Sequence, residues 1–282
     1  MKQVKRMNLD NMITYIFLLV LFLVVVFPVA YAFISSFKDT SEILAGTNFL
    51  PENWLWKNYT EAWKIAQFGI YTWNSVYYSF FCVLFALISA ALSGYVFSRG
   101  KFPGKNIVFG MQTGMMFIVL GTSSLYPQLQ ILKWLHLNTN LWGIILMQFF
   151  CGSITNIFLV RGFCDSLPKE MDEAAKIDGC SFLGTFVKVI LPLLKPVMAT
   201  IGILSFQGAW NDYLLPMIVT LGNPSQRTLP VGLVALKGSS DAAAAWNLIL
   251  AGAMISAIPM LVVYIFCNRY FIKGLTAGAV KG

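Results

Sequence analysis

Charge is scarce in this chain of 282 residues: only 11% are Asp, Glu, Lys or Arg, against 57% hydrophobic, and the mean hydropathy is +0.70. That balance excludes a soluble domain of this size. Histidine is nearly missing, with His136 the single example, so a histidine metal site or proton relay has almost nothing to work with. No metal is expected. The five cysteines, Cys82, Cys151, Cys164, Cys180 and Cys267, have no CxxC or His-paired spacing and read as small hydrophobes. A G-x-x-x-x-G-K-[ST] phosphate loop is absent, since Gly104-Lys105 is followed by Asn106 and lacks the preceding glycine. Nucleotide binding is therefore not expected in this chain, and no cofactor of its own is. The apolar runs also lack the carboxylates, histidines and ion pairs through which a secondary transporter or channel-like carrier harvests an ion gradient. A charge at mid-bilayer costs roughly 2.5–3.5 kcal/mol, so such groups are kept where they work, and without them energy must enter by another route. A clustered nucleophile, base or ligand set is equally missing, which argues against an enzyme.

What is present is six long runs, nearly free of charge, each able to cross about 30 Å of hydrocarbon at 1.5 Å per residue. They cover Met12–Ser36, Asn74–Phe97, Ile107–Leu125, Leu141–Val160, Val189–Phe206 (holding one lysine) and Asn247–Phe266. The expected fold is an all-α membrane protein of six transmembrane helices, one transmembrane domain over residues 1–282. Lys2, Lys5 and Arg6 precede a first run too long for a cleaved signal peptide, so it reads as a retained helix. With the N-terminus inside and sides alternating, fourteen of the twenty Lys and Arg fall on the inner side. That satisfies the positive-inside rule and places both termini in the cytoplasm of a multi-pass cell-membrane protein. The net charge of +8 follows from topology and anionic lipid, and nucleic acid is not a partner.

Between the fourth and fifth runs lies a polar island, SLPKEMDEAAKIDGCSFLGTFVKVILPLLKP, from Ser166 to Pro196. Pro168 suits a first helical turn and Gly179 a left-handed C-terminal cap. At 100° per residue, Leu167, Met171, Ala174 and Ala175 share one face while Lys169, Asp172, Glu173 and Lys176 share the other. The island reads as a short amphipathic docking helix or, more plainly, as a solvated loop. Its residues resemble a known family. Glu173-Ala174-Ala175, Asp178-Gly179, Phe186, Leu191-Pro192 and Pro196, with Arg161 and Phe163 ahead of them, are similar to the EAA loop of ABC importer permeases, in its carbohydrate-uptake, maltose-type version.

The resemblance implies a type I ABC importer transmembrane domain, not itself an enzyme, whose cytoplasmic EAA loop (residues 164–188) couples to a separate ATPase that holds ATP and Mg. Glu170, Glu173 and Asp178 are then expected to make polar contacts to that ATPase, Ala174 and Ala175 to pack closely, and Gly179 to make the turn. Implied partners are a second homologous permease in a heterodimer, two ATPase subunits and an extracytoplasmic sugar-binding protein. The solute is expected to be a sugar or oligosaccharide moved by alternating access. A polyol or glycerol phosphate is the alternative within the family, and a secondary transporter the alternative outside it.

Gln207, Trp210, Asn211, Asp212 and Tyr213 form the densest polar group near the outer end of the fifth run. They read as pathway lining for a polar solute, or as a helix end capping into water. WNDYLLP also resembles the family pattern. In the outer segment Leu221–Ala245, Arg227-Thr228-Leu229-Pro230 matches the family's run, and the resemblance implies contact with the binding protein. The C-terminus from Arg269 to Gly282 resembles the family's ending, which reaches the ATPase interface. Trp54, Trp56, Trp63 and Trp73 in the first outer segment suit the headgroup level or an external partner equally well. The prolines of the fifth run, Pro192 and Pro196, predict a broken helix.

Overall fold

A computed structural model describes residues 9–46, 48–65, 67–118, 120–239 and 246–279. The basic residues Lys2, Lys5 and Arg6, the segment 240–245 and the last three residues of the chain fall outside these. Among the described residues the chain is helical and has no strand. The helices are α1 (Leu9–Ser35), α2 (Thr40–Ala45), α3 (Lys57–Ile65), α4 (Phe68–Arg99), α5 (Lys105–Met115), α6 (Leu125–Trp134), α7 (Leu141–Cys151), α8 (Ile154–Ser166), α9 (Glu170–Ile177), α10 (Phe182–Thr185), α11 (Leu191–Leu193), α12 (Lys195–Trp210), α13 (Leu214–Val219), α14 (Leu229–Ser239) and α15 (Trp246–Ala279).

Among the described residues four stretches are long and apolar enough to cross a membrane: Asn11–Ser35, Phe68–Arg99, Leu141–Ser166 and Trp246–Cys267. The pair Phe182–Leu193 and Lys195–Trp210, bent by 78°, makes a fifth if counted as one crossing. Of the six expected crossings, four or five are thus found by length and hydropathy among the described residues. The third run, Ile107–Leu125, divides into α5, an irregular stretch and a 3₁₀ turn at Gly121–Ser124. Gly110, Gly114 and Gly121, the last at φ +53°, weaken helix propagation there, which a count of charges does not register. The fourth run is interrupted at Gly152, where φ is +60° and ψ 162°. The expected break in the fifth has two causes: a π-helical turn at Phe186–Ile190, and Pro192 and Pro196, which remove two backbone donors. Within α12, Thr200 Oγ1 donates back to the Pro196 carbonyl at 3.3 Å. A further difference is α14, an 11-residue helix inside a segment expected to be loop; Pro230 sits in its first turn, where proline is tolerated.

The chain divides into two compact units, Met1–Phe68 with Leu233–Ala257, and Gly69–Gly232 with Ile258–Gly282. In the first, α1 exposes its apolar side chains all round, as a helix meeting lipid or a partner does. Beyond its end, Asn58 of α3 is fully buried. Its amide donates to the Ser36 and Lys38 carbonyls, both at 2.9 Å, and accepts from Asn247 at 3.1 Å. Asn247 in turn accepts from Thr40 at 2.9 Å, so one amide network ties α1, α2, α3 and the start of α15.

In the second unit α4 is the spine. One buried cluster joins Ala90, Ala91 and Tyr95 of α4 to Val160 and Cys164 of α8 and to Phe186, Ile190, Leu194, Val197 and Ile201. Another joins Tyr78 and Cys82 to α6, α7, Ala209 and α13. Helices in lipid associate through van der Waals contact, so small residues that admit close approach are what hold them. Gly94 is such a residue between α4 and α8: a Cβ there would lie 2.6 Å from Val160 Cβ. Gly94→Ala is therefore expected to destabilise the unit by about 1–3 kcal/mol, read as a lowered melting temperature in detergent.

Candidate functional site

Eight residues make a marginal helix, and α9 is stabilised locally at both ends. Glu170, Asp172 and Glu173 occupy its first turn and Lys176 its last, each charge opposing the end of the helix dipole nearest to it. Its exit is a Schellman closure: the Cys180 amide donates to the Ala175 carbonyl at 2.9 Å and Gly179 to Lys176 at 3.0 Å. Gly179 takes φ +79°, as expected of its position. The helix starts two residues later than Pro168, and its inner face differs from the expected one. Asp172 and Ala175 are buried, while Ala174 is exposed. The helical-wheel assignment turned every charge outward, but Asp172 has a partner. Arg99, in the last turn of α4, places Nε 2.9 Å from Asp172 Oδ2, with the two side chains only 9% and 10% exposed. The N–H is not aimed squarely at either carboxylate oxygen, so proximity of charge holds the pair. The same guanidinium donates to the Leu167 carbonyl at 2.8 Å.

The neighbouring contacts reinforce this clamp. Ser98 Oγ donates to Asp165 Oδ1 at 2.5 Å, and Lys105 Nζ donates to the Ser98 and Gly100 carbonyls at 2.8 and 3.0 Å, capping α4. Burial, and after it the charge of Arg161, lowers the Lys105 ammonium from its ordinary value. Arg161 pairs with Asp165 at 3.4 Å and lies 3.7 Å from the Phe109 ring centroid. Tyr95 packs its ring 4.7 Å from Phe182 and 5.0 Å from Phe186, so α4 grips the chain on both sides of α9. What α9 leaves free is a stripe of Glu170, Glu173, Ala174 and Ile177, at i, i+3, i+4 and i+7. Ile177 is 87% exposed. Of the expected coupling residues, Glu170, Glu173, Ala174, Asp178 and Gly179 are exposed and Ala175 is packed inside the chain. Sequence reasoning missed Arg99 and Ile177.

The residues expected to line a pathway do not share one surface. Asp212 borders a chamber of about 610 Å³, its Oδ2 accepting from the buried Tyr78 hydroxyl at 2.8 Å. Trp210 is buried and lines a separate apolar groove with Phe80, Phe206 and Pro259. Gln207 and Asn211 are exposed, and Asn211 donates to the Gln207 carbonyl at 2.9 Å, the local capping that was the plainer reading. Tyr213 is half-buried and outside the chamber wall. In their place the chamber is bordered by Gln128, Gln148, Ser153, Asn156 and Ser205. The one sequence signal for these is Gly152-Ser153, small residues interrupting an apolar run.

At the other expected contact, Thr228 and Leu229 are buried and Arg227 and Pro230 half-buried. Asn74 donates to the Ser225 and Arg227 carbonyls at 2.7 and 2.9 Å, and the Leu229 amide donates to Ser75 Oγ at 2.8 Å. The run is thereby fastened to the start of α4. Among the described residues no group of three His, Cys, Asp or Glu could hold a metal ion.

Residues 11–275 match the family described as binding-protein-dependent transport system inner membrane component. The chain is similar to the arabinooligosaccharides transport system permease protein AraQ of Halalkalibacterium halodurans, 32% identical over 92% of each chain. It is similar also to the galactooligosaccharides transport system permease protein GanQ of Bacillus subtilis, 30% identical over 98% of each. A third relative is the diacetylchitobiose uptake system permease protein NgcG of Streptomyces coelicolor, 31% identical over 92% of this chain and 85% of that one. In fold it is similar to a chain of a bacterial ABC transporter involved in import of the acidic polysaccharide alginate, with a TM-score of 0.80, 23% identity, and coverage of 96% and 99%.

Proposed function

The chain belongs to the family of binding-protein-dependent transport system inner membrane components, and from that premise we propose that it is the sugar- or oligosaccharide-moving permease subunit of an ABC importer, driven through α9. Relatives named for oligosaccharide uptake along nearly their whole length support the solute class. The coupling role rests on one observation: α9 is clamped to α4 by a buried ion pair while its Glu170, Glu173, Ala174 and Ile177 stripe stays open. A helix built this way can be seized from outside and can move what it is fastened to. Closure of a partner ATPase dimer, which would hold ATP and Mg, would pull α9, and α4 with the bent α12 would tilt the pathway from inward- to outward-facing.

In this reading α9 faces the cytoplasm, as the excess of basic residues on the same side supports, and both termini lie there with it. A second homologous permease completes the path, the broken third and fifth runs complete six crossings, and an extracytoplasmic binding protein delivers the sugar. The C-terminal residues from Arg269 onward would lie near the ATPase. The expected result is uptake of radiolabelled arabino- or galacto-oligosaccharide into proteoliposomes holding both permeases, the ATPase and the binding protein. It should need ATP and ignore a protonophore. Uptake that continues without ATP and collapses with the membrane potential would assign the chain to a secondary transporter instead.

A further inference from the structure

We infer that the chamber beside Asp212 is a solute subsite supplied by this chain itself, taking an uncharged, polyhydroxylated sugar unit and rejecting an anionic one. This deepens the importer reading and rests on it. Backbone that leaves the helix at membrane depth survives only where protein buries it or where it lines a polar cavity. Three interruptions on separate stretches converge on this one chamber: Gly121 and Thr122 after the break beyond α5, Gly152 and Ser153 between α7 and α8, and Asp212 between α12 and α13. Its volume of about 610 Å³ falls within the roughly 300–1,000 Å³ of small-molecule sites.

The lining states what fits. Gln128, Gln148 and Asn156 carry amides, which donate and accept at once, as sugar hydroxyls do. Asn156 is 8% exposed, and its side-chain nitrogen has only a 3.5 Å approach to Ser205 Oγ. A buried amide with so little satisfied has unspent hydrogen-bonding capacity to offer a ligand. Leu204 and Leu215 provide apolar wall for the C–H faces of a pyranose. Neither lysine nor arginine lines the chamber, and its one carboxylate is that of Asp212, held by Tyr78. A neutral sugar can donate hydroxyls to that carboxylate, whereas a uronate brings a second negative charge with no cation to offset it.

Cys151 is exposed and lies in the chamber wall, which supplies a reporter. In an assembled importer whose Cys82, Cys164, Cys180 and Cys267 are replaced by alanine, the rate of Cys151 alkylation by N-ethylmaleimide is followed with neutral di- and trisaccharides and with digalacturonate. At a concentration about four times its Kd, at least one neutral sugar is expected to slow the reaction about five-fold by occupying the subsite, and digalacturonate is expected to leave it unchanged. Asn156→Ala and Gln148→Ala should each remove the protection, and Asp212→Asn should let digalacturonate begin to protect. Protection by no neutral sugar, protection that survives both amide deletions, or equal protection by digalacturonate would overturn the assignment. Should the cysteine-depleted chain fail to assemble, the KM for uptake is measured with native cysteines present. Asn156→Ala is expected to raise it about five-fold, and an unchanged KM would count against the subsite. ATP-dependent uptake by the unaltered assembly reports separately on the importer reading, so the two can fail independently.

Discussion

Asp172→Asn, which keeps the side chain's shape and removes its charge, is expected to lower solute uptake by about ten-fold or more while ATP hydrolysis by the assembled complex continues. The change leaves the Arg99 guanidinium, only 9% exposed, without its counter-ion. Breaking a buried pair by removing one partner costs about 3–5 kcal/mol, because the remaining charge is stranded. The energy is lost at one specific joint. Arg99 closes α4 and Asp172 lies in α9, so the pair is a direct polar connection between the helix to be pulled and the spine that carries both buried clusters. The covalent route from α9 into α12 passes a π-helical turn and a 78° bend, which makes it the more compliant of the two. A weakened joint lets α9 move with the ATPase while α4 lags, and hydrolysis then runs without transport. Arg99→Asp should behave alike, and the double exchange Arg99→Asp with Asp172→Arg should recover part of the uptake, since neighbours in one pair are not additive. The measurement is sugar imported per ATP hydrolysed in proteoliposomes. If uptake drops only as far as the quantity of assembled complex drops, the pair is a stability element and nothing more.

Part of the fold is legible in the amino-acid sequence alone. The α9 segment announced itself because charges between long apolar runs have little reason to be there except contact with water or a partner, and Gly179 takes the left-handed cap its type allows. The runs that became α1, α4 and the apolar part of α15 were legible because length and hydropathy decide a crossing. The third run misled for a physical reason: absence of charge measures insertion cost, while Gly110, Gly114 and Gly121 act on backbone continuity. Asp172 misled because a helical wheel assumes that charges seek water, and the residue that turns it inward, Arg99, is distant in sequence. The chamber amides were invisible for a similar reason. Gln148 stands alone among apolar residues and Asn156 follows Ser153 and Thr155 eight residues on, and only the convergence of three backbone breaks makes the two neighbours of one chamber.

Ile177→Glu should abolish assembly with the ATPase more completely than any other single change on α9 that leaves the fold intact. Ile177 is 87% exposed and completes the stripe begun by Glu170, Glu173 and Ala174. A large aliphatic side chain in that position, beside a small residue that admits close approach, has the character of an interface anchor. Anchors of this kind are worth about 2 kcal/mol or more, which is roughly thirty-fold in affinity. Glutamate in its place puts a third acid beside Glu170 and Glu173 where an apolar group should be buried. Since the side chain touches little of its own chain, the permease alone should melt within about 0.5 kcal/mol of the unaltered protein. Ala175→Arg provides the contrast. Ala175 is buried inside the chain, so its substitution would disturb the seat of α9 on α4, and lost assembly there would not tell docking from misfolding. Co-purification of the ATPase with the Ile177→Glu permease, read against its melting temperature, separates the two. Full recovery of the ATPase would show that the stripe on α9 is not where the ATPase binds.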